Sequence, residues 1–414
     1  MSADPRRVLD AVWRMEGARI VGAVARATSD IVLAEDVAQE AVVEALGSWR
    51  EHGVPENPGA WLTAVAKRRA VDAWRRRAAL DDRHRAMARD LSETTEDVWE
   101  PIDDDVLRLV FTACHPALSR ESQVALTLRV VGGLTTVEIG RMLLAPVPTV
   151  QARITRAKKT LQAAKVPFET PDPGEWPARL QTVLSVVYLI FTEGYAATSG
   201  DRWVRADLAE EALRLGRMIA ALLPREADAW ALLALMELQA SRFGARADDT
   251  GAPVLLADQD RARWDRSQIE RGRAALARAD AVGHGRGAYA LQAAIAEQHA
   301  IAARFADTDW DEIVVLYEAL GRLAPSPVVA LNHAVAVSMA VGPGTALAMV
   351  DRIAAGGALR GSHLIPSVRG ELLAQVGRAE EARAELLAAA ALTGNEREAG
   401  VLRAKAAALG GSSA

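Results

Sequence analysis

The sequence predicts an all-α fold with three helical parts. Half of its 414 residues are hydrophobic but only 5% are aromatic, so the apolar residues are mainly Ala and Leu, which favour helices, together with Val. Runs that alternate with period two, typical of strands, are rare. The single cysteine, Cys114, excludes a disulfide framework within the chain, and we expect a cytoplasmic protein. No apolar run reaches membrane-spanning length, so no membrane partner is expected.

Turn-forming residues and charge divide the chain into five segments. Residues 1–78 and 105–165 are expected to be helical, with an acidic linker of partial helix at 79–104 between them. Prolines crowd residues 166–176 and predict a domain boundary. Residues 177–414 are rich in Ala and Leu and predict a second helical domain.

Charge patterning within the first half indicates what it binds. Residues 67–77 hold six basic residues and one acidic residue, whereas residues 81–105 hold ten acidic residues and three basic ones. Two basic blocks separated by an acidic connector predict two nucleic-acid surfaces on a tether that does not itself bind. Such a connector is expected to leave the two surfaces mis-spaced until a partner fixes the distance between them.

Residues 34–49, AEDVAQEAVVEALGSW, predict an amphipathic helix. Its apolar side holds Ala34, Val37, Ala41 and Ala45. The other side carries Asp36, Gln39, Glu40 and Glu44. An acidic face repels phosphate and suits a basic protein surface. The alternative is an ordinary solvated charged face.

Residues 57–77, NPGAWLTAVAKRRAVDAWRRR, predict a turn at Asn57 followed by a helix. Its apolar side holds Trp61, Leu62, Val65 and Val71. The basic cluster around Trp74 consists of Lys67, Arg68, Arg69, Arg75, Arg76 and Arg77. Basic residues interleaved with Trp suit melted DNA, because charge follows the backbone while rings stack on exposed bases. The alternative places Trp61 and Trp74 in the core.

Residues 134–162, LTTVEIGRMLLAPVPTVQARITRAKKTLQ, predict a helix-turn-helix. Thr135 and Glu138 form a capping-box pattern at the start of the first helix. Pro146 and Pro148 break that helix but are tolerated in the first turn of the next. The second helix has one apolar stripe, formed by Val150, Ile154, Ala157 and Leu161.

The opposite face of this second helix is polar and basic. It carries Thr149, Gln151, Arg153, Arg156 and Lys159, with Lys158 at its flank. Gln151 and Arg153, near the helix start, are predicted to contact bases. The later residues Arg156, Lys158 and Lys159 are predicted to contact phosphates. The alternative is an amphipathic helix with a solvated basic face.

The sequence gives little support for an enzyme or for a metal site. Cys114 and His115 are neighbours, and adjacent helical residues do not face each other. Residues 283–287, GHGRG, lack the preceding strand and the Lys-Ser/Thr pair of a phosphate-binding loop. No metal-ligand spacing occurs elsewhere. We therefore expect a non-enzymatic protein without a cofactor, and a loop between helices at 283–287.

The C-terminal segment contains two similar stretches centred on Gly342 and Gly377, 35 residues apart. A helix, a Gly turn and a second helix at this spacing resemble tetratricopeptide repeats, whose period is about 34 residues. The alternative is an irregular helical bundle.

The stretches AEDVAQEAVVEAL, NPGAWLTAVAKRRAVDAWRRR and LTTVEIGRMLLAPVPTVQARITRAKKTL, in this order, resemble regions 2 and 4 of extracytoplasmic-function (ECF) sigma factors, the initiation subunits of bacterial RNA polymerase. This resemblance covers residues 5–165. Stretches such as VLSVVYLIFTEGYAAT and DTDWDEIVVLYEAL resemble the subgroup with a tetratricopeptide-like C-terminal extension.

The resemblance implies a protein that binds core RNA polymerase, recognises −35 and −10 promoter elements and promotes DNA melting. Region 2 would occupy residues 1–78 and region 4 residues 105–165, with the polymerase β′ clamp helices and β flap as partners. The remainder, 177–414, would be a regulatory extension offering a surface to a protein partner. The alternative function is a helix-turn-helix transcriptional regulator with an α-helical sensor domain.

The resemblance also assigns residues to these contacts. The clamp-helix contact falls to Asp36, Gln39, Glu40 and Glu44. The −10 contact falls to Asn57, Trp61, Lys67, Arg68, Arg69, Trp74, Arg75, Arg76 and Arg77. The −35 contact falls to Thr149, Gln151, Arg153, Arg156, Lys158 and Lys159. Two residues depart from the family pattern: Arg68 stands where Asn is frequent, and Ala152 where a polar residue is frequent.

Overall fold

The computed structural model describes residues 4–78, 103–143, 145–195, 206–248, 253–357 and 359–410. These residues contain helices and no strand beyond an isolated bridge between Ala247 and Pro253. The all-α prediction is confirmed. The helices are α1 (Pro5–Thr28), α2 (Ile31–His52), α3 (Pro58–Ala78), α4 (Asp103–Ala113), α5 (Arg120–Val130), α6 (Thr136–Met142), α7 (Val147–Ala163), α8 (Trp176–Tyr195), α9 (Ala206–Leu222), α10 (Ala227–Ala240), α11 (Arg266–Val282), α12 (Ala288–Ile301), α13 (Trp310–Leu323), α14 (Pro327–Ala340), α15 (Pro343–Ala355), α16 (Leu364–Gln375), α17 (Ala379–Leu392) and α18 (Glu396–Gly410).

Helices α1, α2 and α3 form the first bundle. Side-chain caps fix where they begin: Asp30 accepts from the backbone amides of Val32 and Leu33 at the start of α2. Asn57 accepts from the backbone amide of Ala60 at the start of α3. The apolar stripe predicted for α2 is buried in this bundle and packs among the three helices.

Helices α4 to α7 form the second bundle, which packs directly on the first. Helices α1 and α4 approach so closely that a Cβ at Gly22 would lie 3.0 Å from the Asp105 backbone. The two bundles are therefore in direct contact, and the expected mis-spacing of their surfaces relative to promoter DNA stays a prediction. The acidic linker lies outside the described residues up to position 102.

The chain divides into two compact units, Met1–Val187 and Tyr188–Ala414. The compact units divide inside α8, and the domain boundary that the prolines of 166–176 predict stays a prediction. The reason is that α8 starts against the second bundle: the rings of Trp176 and Phe111 are 5.0 Å apart, and Arg179 donates to the Phe111 carbonyl at 3.1 Å.

The second unit contains helices α9 to α18, many packed against their neighbours in sequence. Gly342 and Gly377 join α14 to α15 and α16 to α17, with φ of 134° and 83° that glycine adopts without strain. Residues 283–287 form the predicted loop, between α11 and α12. The tetratricopeptide likeness stays a prediction. Among the described helices, none combines the length and apolar character needed to cross a membrane.

Candidate nucleic-acid interface

The acidic face of α2 lies at the surface of the first bundle. Asp36 and Glu40 have side chains 60% and 53% exposed. Gln39 and Glu44 are half-buried. The predicted acidic face thus exists as a surface, and its role in binding stays a prediction.

Part of this acidic face is paired with basic residues of α3. Arg69 contacts Glu40 at 2.8 Å and Glu44 at 2.7 Å, and Arg68 contacts Glu44 at 2.9 Å. The hydrogen bond to Glu44 raises the pKa of Arg69. Residues that the sequence assigned to two different partners are therefore neighbours within one bundle.

The remaining residues of the −10 segment differ in what they contact. Asn57 is exposed and caps α3. Trp61 is half-buried and packs edge-on against the buried Trp49, with ring centroids 5.7 Å apart. Lys67 is half-buried as well. The side chains of Trp74, Arg75, Arg76 and Arg77 lie outside the described residues, although the backbone of α3 includes them.

The helix-turn-helix forms as predicted. The backbone amide of Thr135 donates to Glu138 at 2.8 Å, and the backbone amide of Glu138 donates to the Thr135 hydroxyl at 3.2 Å, so the capping box is confirmed. Pro146 takes the N-cap position of α7. Helices α6 and α7 pack together, which fixes the angle at which α7 leaves the turn.

Helix α7 buries the predicted apolar stripe and exposes most of the predicted DNA face. Val150, Ile154, Ala157 and Leu161 are buried. Thr149, Gln151, Arg156 and Lys159 are exposed, and Arg153 is half-buried. A solvent-facing set of amide, hydroxyl and cationic groups beyond a tight turn is suited to bases and phosphates in a major groove.

Lys158 is the exception on α7, because it points at the first bundle. Its ammonium lies 2.8 Å from Asp36 and also contacts Glu35, and its side chain is only 16% exposed. Burial by itself lowers the pKa of Lys158, but the two carboxylates more than offset that effect and raise it. Lys158 is therefore a charged contact between the bundles in this structure, where the sequence predicted a phosphate contact.

Glu35 is the centre of this contact. Its side chain is 5% exposed and accepts from Arg129 of α5 at 2.8 Å as well as from Lys158. Burial would raise the pKa of Glu35, but attraction to Arg129 and then to Lys158 outweighs it and holds the pKa below its usual value. We call Glu35, Asp36, Arg129 and Lys158 the interbundle ion cluster.

Three further contacts join the two bundles. The indole of Trp13 donates to the Gly133 carbonyl at 3.0 Å. Ion pairs join Arg14 to Glu138 at 3.2 Å and Arg26 to Asp105 at 3.3 Å. The second bundle is thus held in one orientation, with the exposed part of α7 open and Asp36 engaged.

Sequence reasoning missed Glu35 and Arg129. Glu35 directly precedes Asp36 and is as acidic, so composition does not separate the two. A usable signal existed in the helical register, because Glu35 follows the buried Ala34 by one residue and lies near the apolar stripe of α2. Arg129, within the nearly continuous buried run of α5, offered a second signal.

Cys114, which directly precedes His115, packs in the interior of the second bundle. Cys114 is buried, and burial raises the pKa of its thiol to about 11. Within the described residues, no group of three or more His, Cys, Asp or Glu side chains is arranged to hold a metal ion.

Comparison with known families locates three matches along the chain. Residues 12–79 match Sigma-70 region 2, and residues 108–161 match Sigma-70, region 4. Residues 179–280 match a family of unknown function, DUF6596. The first two matches coincide with the first and second bundles.

Similar proteins cover different shares of the chain. An uncharacterized protein, R00370, of Rhizobium meliloti is 44% identical over 92% of this chain and 91% of its own length. The ECF RNA polymerase sigma factor SigK of Mycobacterium tuberculosis is 32% identical over 35% of this chain and 78% of its own length. SigK of Mycobacterium ulcerans is 28% identical over the same shares.

Proposed function

Because the chain belongs to the ECF family of RNA polymerase sigma factors, we propose that it brings core RNA polymerase to a two-part promoter and starts strand opening there. Sigma factors are non-enzymatic initiation factors that bind core polymerase and promoter DNA. The observation that carries the proposal is the order of the two matched regions, with an exposed polar face on α7 behind a capped helix and a tight turn.

In this proposal α2 docks on the polymerase β′ clamp helices through its acidic face. The residues that would make this contact are Asp36, Gln39, Glu40 and Glu44. The exposure of Asp36 and Glu40 supports the assignment, since opposite charge on a partner helix would steer and orient docking. The pairing of Glu44 with Arg68 and Arg69 supports an additional role in holding α2 against α3.

Promoter contact divides between the bundles. The segment from Asn57 to Arg77 contacts the −10 element and its melted strand. The exposed face of α7 contacts the −35 element. Gln151 and Arg153 contact bases, and Arg156 and Lys159 contact phosphates. The second bundle would also rest on the β flap.

Polymerase docking and the interbundle ion cluster compete for the same helix face. Asp36 belongs to the proposed docking surface and is already engaged by Lys158. Docking would therefore separate the second bundle from the first, release Lys158 and let α7 move to its own promoter element. Free protein would bind DNA weakly, and the holoenzyme would bind it well.

Run-off transcription with core polymerase on randomised promoters tests this function. We expect transcripts that begin downstream of a shared two-part motif, and no transcripts would refute the proposal. Footprinting with and without core polymerase separates it from the helix-turn-helix regulator. A regulator protects DNA alone, whereas the proposed sigma factor protects it only with polymerase.

The C-terminal unit is proposed to regulate initiation through a protein partner, as tetratricopeptide-like helix pairs do. Full-length protein and a shortened chain should be compared in the same transcription assay. The shortened chain should end after Tyr195 and not near 165, because Trp176 and Arg179 pack on Phe111 of the second bundle. Equal transcription from both would refute a required role for the extension.

A further inference from the structure

Three arginines converge in the C-terminal unit, far along the chain from either proposed promoter contact. Arg246 and Arg261 are 6% and 9% exposed, and Arg242 is half-buried. A buried guanidinium group is costly unless it is paired or hydrogen-bonded. The buried Arg261 therefore needs a compensating partner.

Aromatic rings supply part of the surroundings of the arginines. The guanidinium of Arg246 lies 3.6 Å from the centroid of the Tyr195 ring, and that of Arg261 lies 4.3 Å from the Trp264 ring. Arg242 is 5.7 Å from each of these two rings and donates to the Tyr195 hydroxyl. Stacking of this kind orients guanidinium groups but leaves their positive charge in place.

Two of the three arginines lack a carboxylate ion pair in the part of the chain that the structure describes. Neither Arg242 nor Arg261 forms an ion pair there. The same unit does pair buried charge elsewhere, since Glu237, 1% exposed, contacts Arg217 at 2.6 Å and Arg271 at 3.4 Å. The contrast sets the arginine cluster apart from an ordinary structural ion pair.

Hydrogen-bond donors around Arg261 outnumber their acceptors. Its Nη1 donates to the carbonyls of His299 and Ala302, but its Nε and Nη2 have no partner among the described residues. The indole nitrogen of Trp264, which is 3% exposed, is also without an acceptor there. Buried donors gathered beside a positive charge are what an oxyanion requires.

Burial and neighbouring charges shift the pKa values in this cluster. Burial, followed by repulsion from Arg242 and Arg266, lowers the pKa of Arg261, and attraction to Asp307 offsets part of that effect. Burial also lowers the pKa of Arg246 to about 10. Burial together with Arg242 and Arg261 lowers the pKa of His299 to about 3, so this imidazole is neutral at pH 7.

We propose that Arg242 and Arg261 form a binding site for a small molecule that carries a phosphate or carboxylate group. Arg242 and Arg261 bind the oxyanion, and Trp264 donates a further hydrogen bond. The half-exposed Arg242 gives the anion access from solvent. This site is separate from the proposed polymerase and promoter contacts.

Thermal unfolding of the full-length chain tests the site with inorganic phosphate and citrate as probes. Each is added at low millimolar concentration and compared with sodium chloride at equal ionic strength. We expect phosphate, citrate or both to raise the Tm of the wild-type protein by about 2–4 °C above its Tm in sodium chloride. A ligand that binds only the folded state stabilises that state. A response to phosphate alone or to citrate alone supports the site and identifies the group it accepts.

Variants show whether the rise in Tm comes from anion binding at the arginine cluster. Arg242→Gln should abolish it, and so should Arg261→Gln, although the latter also loses contacts to two carbonyls and can lower the starting Tm. Arg278→Gln is the matched control, because Arg278 is exposed on α11. The proposal is overturned if neither probe exceeds chloride in the wild type, or if Arg242→Gln keeps the full rise.

Discussion

Lys158 of α7 lies 2.8 Å from Asp36 of α2, so a residue of the predicted DNA-reading helix contacts the predicted polymerase-docking face. Glu35 joins the same contact and draws in Arg129. The two bundles are thereby closed on each other through charged groups. Charged contacts of this kind can be exchanged for those of a partner, which makes the arrangement testable by single substitutions.

Asp36→Arg should weaken binding to core polymerase. Reversing the charge places a cation against a basic partner surface, and we expect a loss of about tenfold or more, equivalent to at least about 1.4 kcal/mol. This loss of affinity is measured by binding labelled protein to core polymerase in the absence of DNA. Glu51→Arg is the control, since Glu51 is exposed near the end of the same helix. Equal affinity of wild type and Asp36→Arg would contradict the docking assignment.

Lys158→Gln should strengthen binding to core polymerase. It removes the contact that occupies Asp36 without changing the docking face, and a gain of about three- to tenfold corresponds to a partly buried ion pair. The same DNA-free binding assay applies, with Lys159→Gln as control because Lys159 is exposed. Weaker or unchanged binding would mean that closure does not compete with docking.

Gln151→Ala and Arg156→Ala should have different effects on promoter binding by the holoenzyme. Loss of a base contact at Gln151 should relax sequence preference at one position, at a cost of about 1–3 kcal/mol. Loss of a phosphate contact at Arg156 should weaken all sequences alike and reduce the salt slope by about 1. Binding to promoter libraries at several salt concentrations distinguishes them. Identical profiles for the two variants would contradict the division of roles on α7.

Glu35→Gln should destabilise the protein at neutral pH by about 1–3 kcal/mol, because Arg129 and Lys158 lose their charged acceptor. The folded-state pKa of Glu35 is lowered from 4.5, so its charge contributes stability above that value and the contribution is lost as the pH falls through the folded pKa. The difference in free energy of unfolding between wild type and variant should therefore shrink toward zero well below pH 4.5.

Urea unfolding of both proteins at pH 7, 5 and 3.5, followed by circular dichroism, measures this difference. Glu51→Gln, an exposed carboxylate on the same helix, should show little change at any of these pH values. A difference that stays constant with pH would show that the effect of Glu35→Gln does not arise from its charge.

Several features of the first unit could be predicted from sequence because they depend on residues close together in the chain. The capping box of Thr135 and Glu138 needs only a spacing of three, and the stripe from Val150 to Leu161 needs only helical periodicity. The point at which the chain divides into two compact units was harder to predict from sequence. Prolines mark where helices stop, but only packing of Trp176 on Phe111 assigns the start of α8 to the first unit.

The sequence by itself determined that the chain is helical, which faces of α2, α3 and α7 are apolar, and that stretches resembling regions 2 and 4 occur in order. Tertiary structure alone decided that Lys158 meets Asp36, 122 residues away, and that Arg242, Arg246 and Arg261 gather around Tyr195 and Trp264. The physical reason is that periodicity fixes the orientation of a side chain about its own helix axis. The residue that it meets depends on how helices distant in sequence pack.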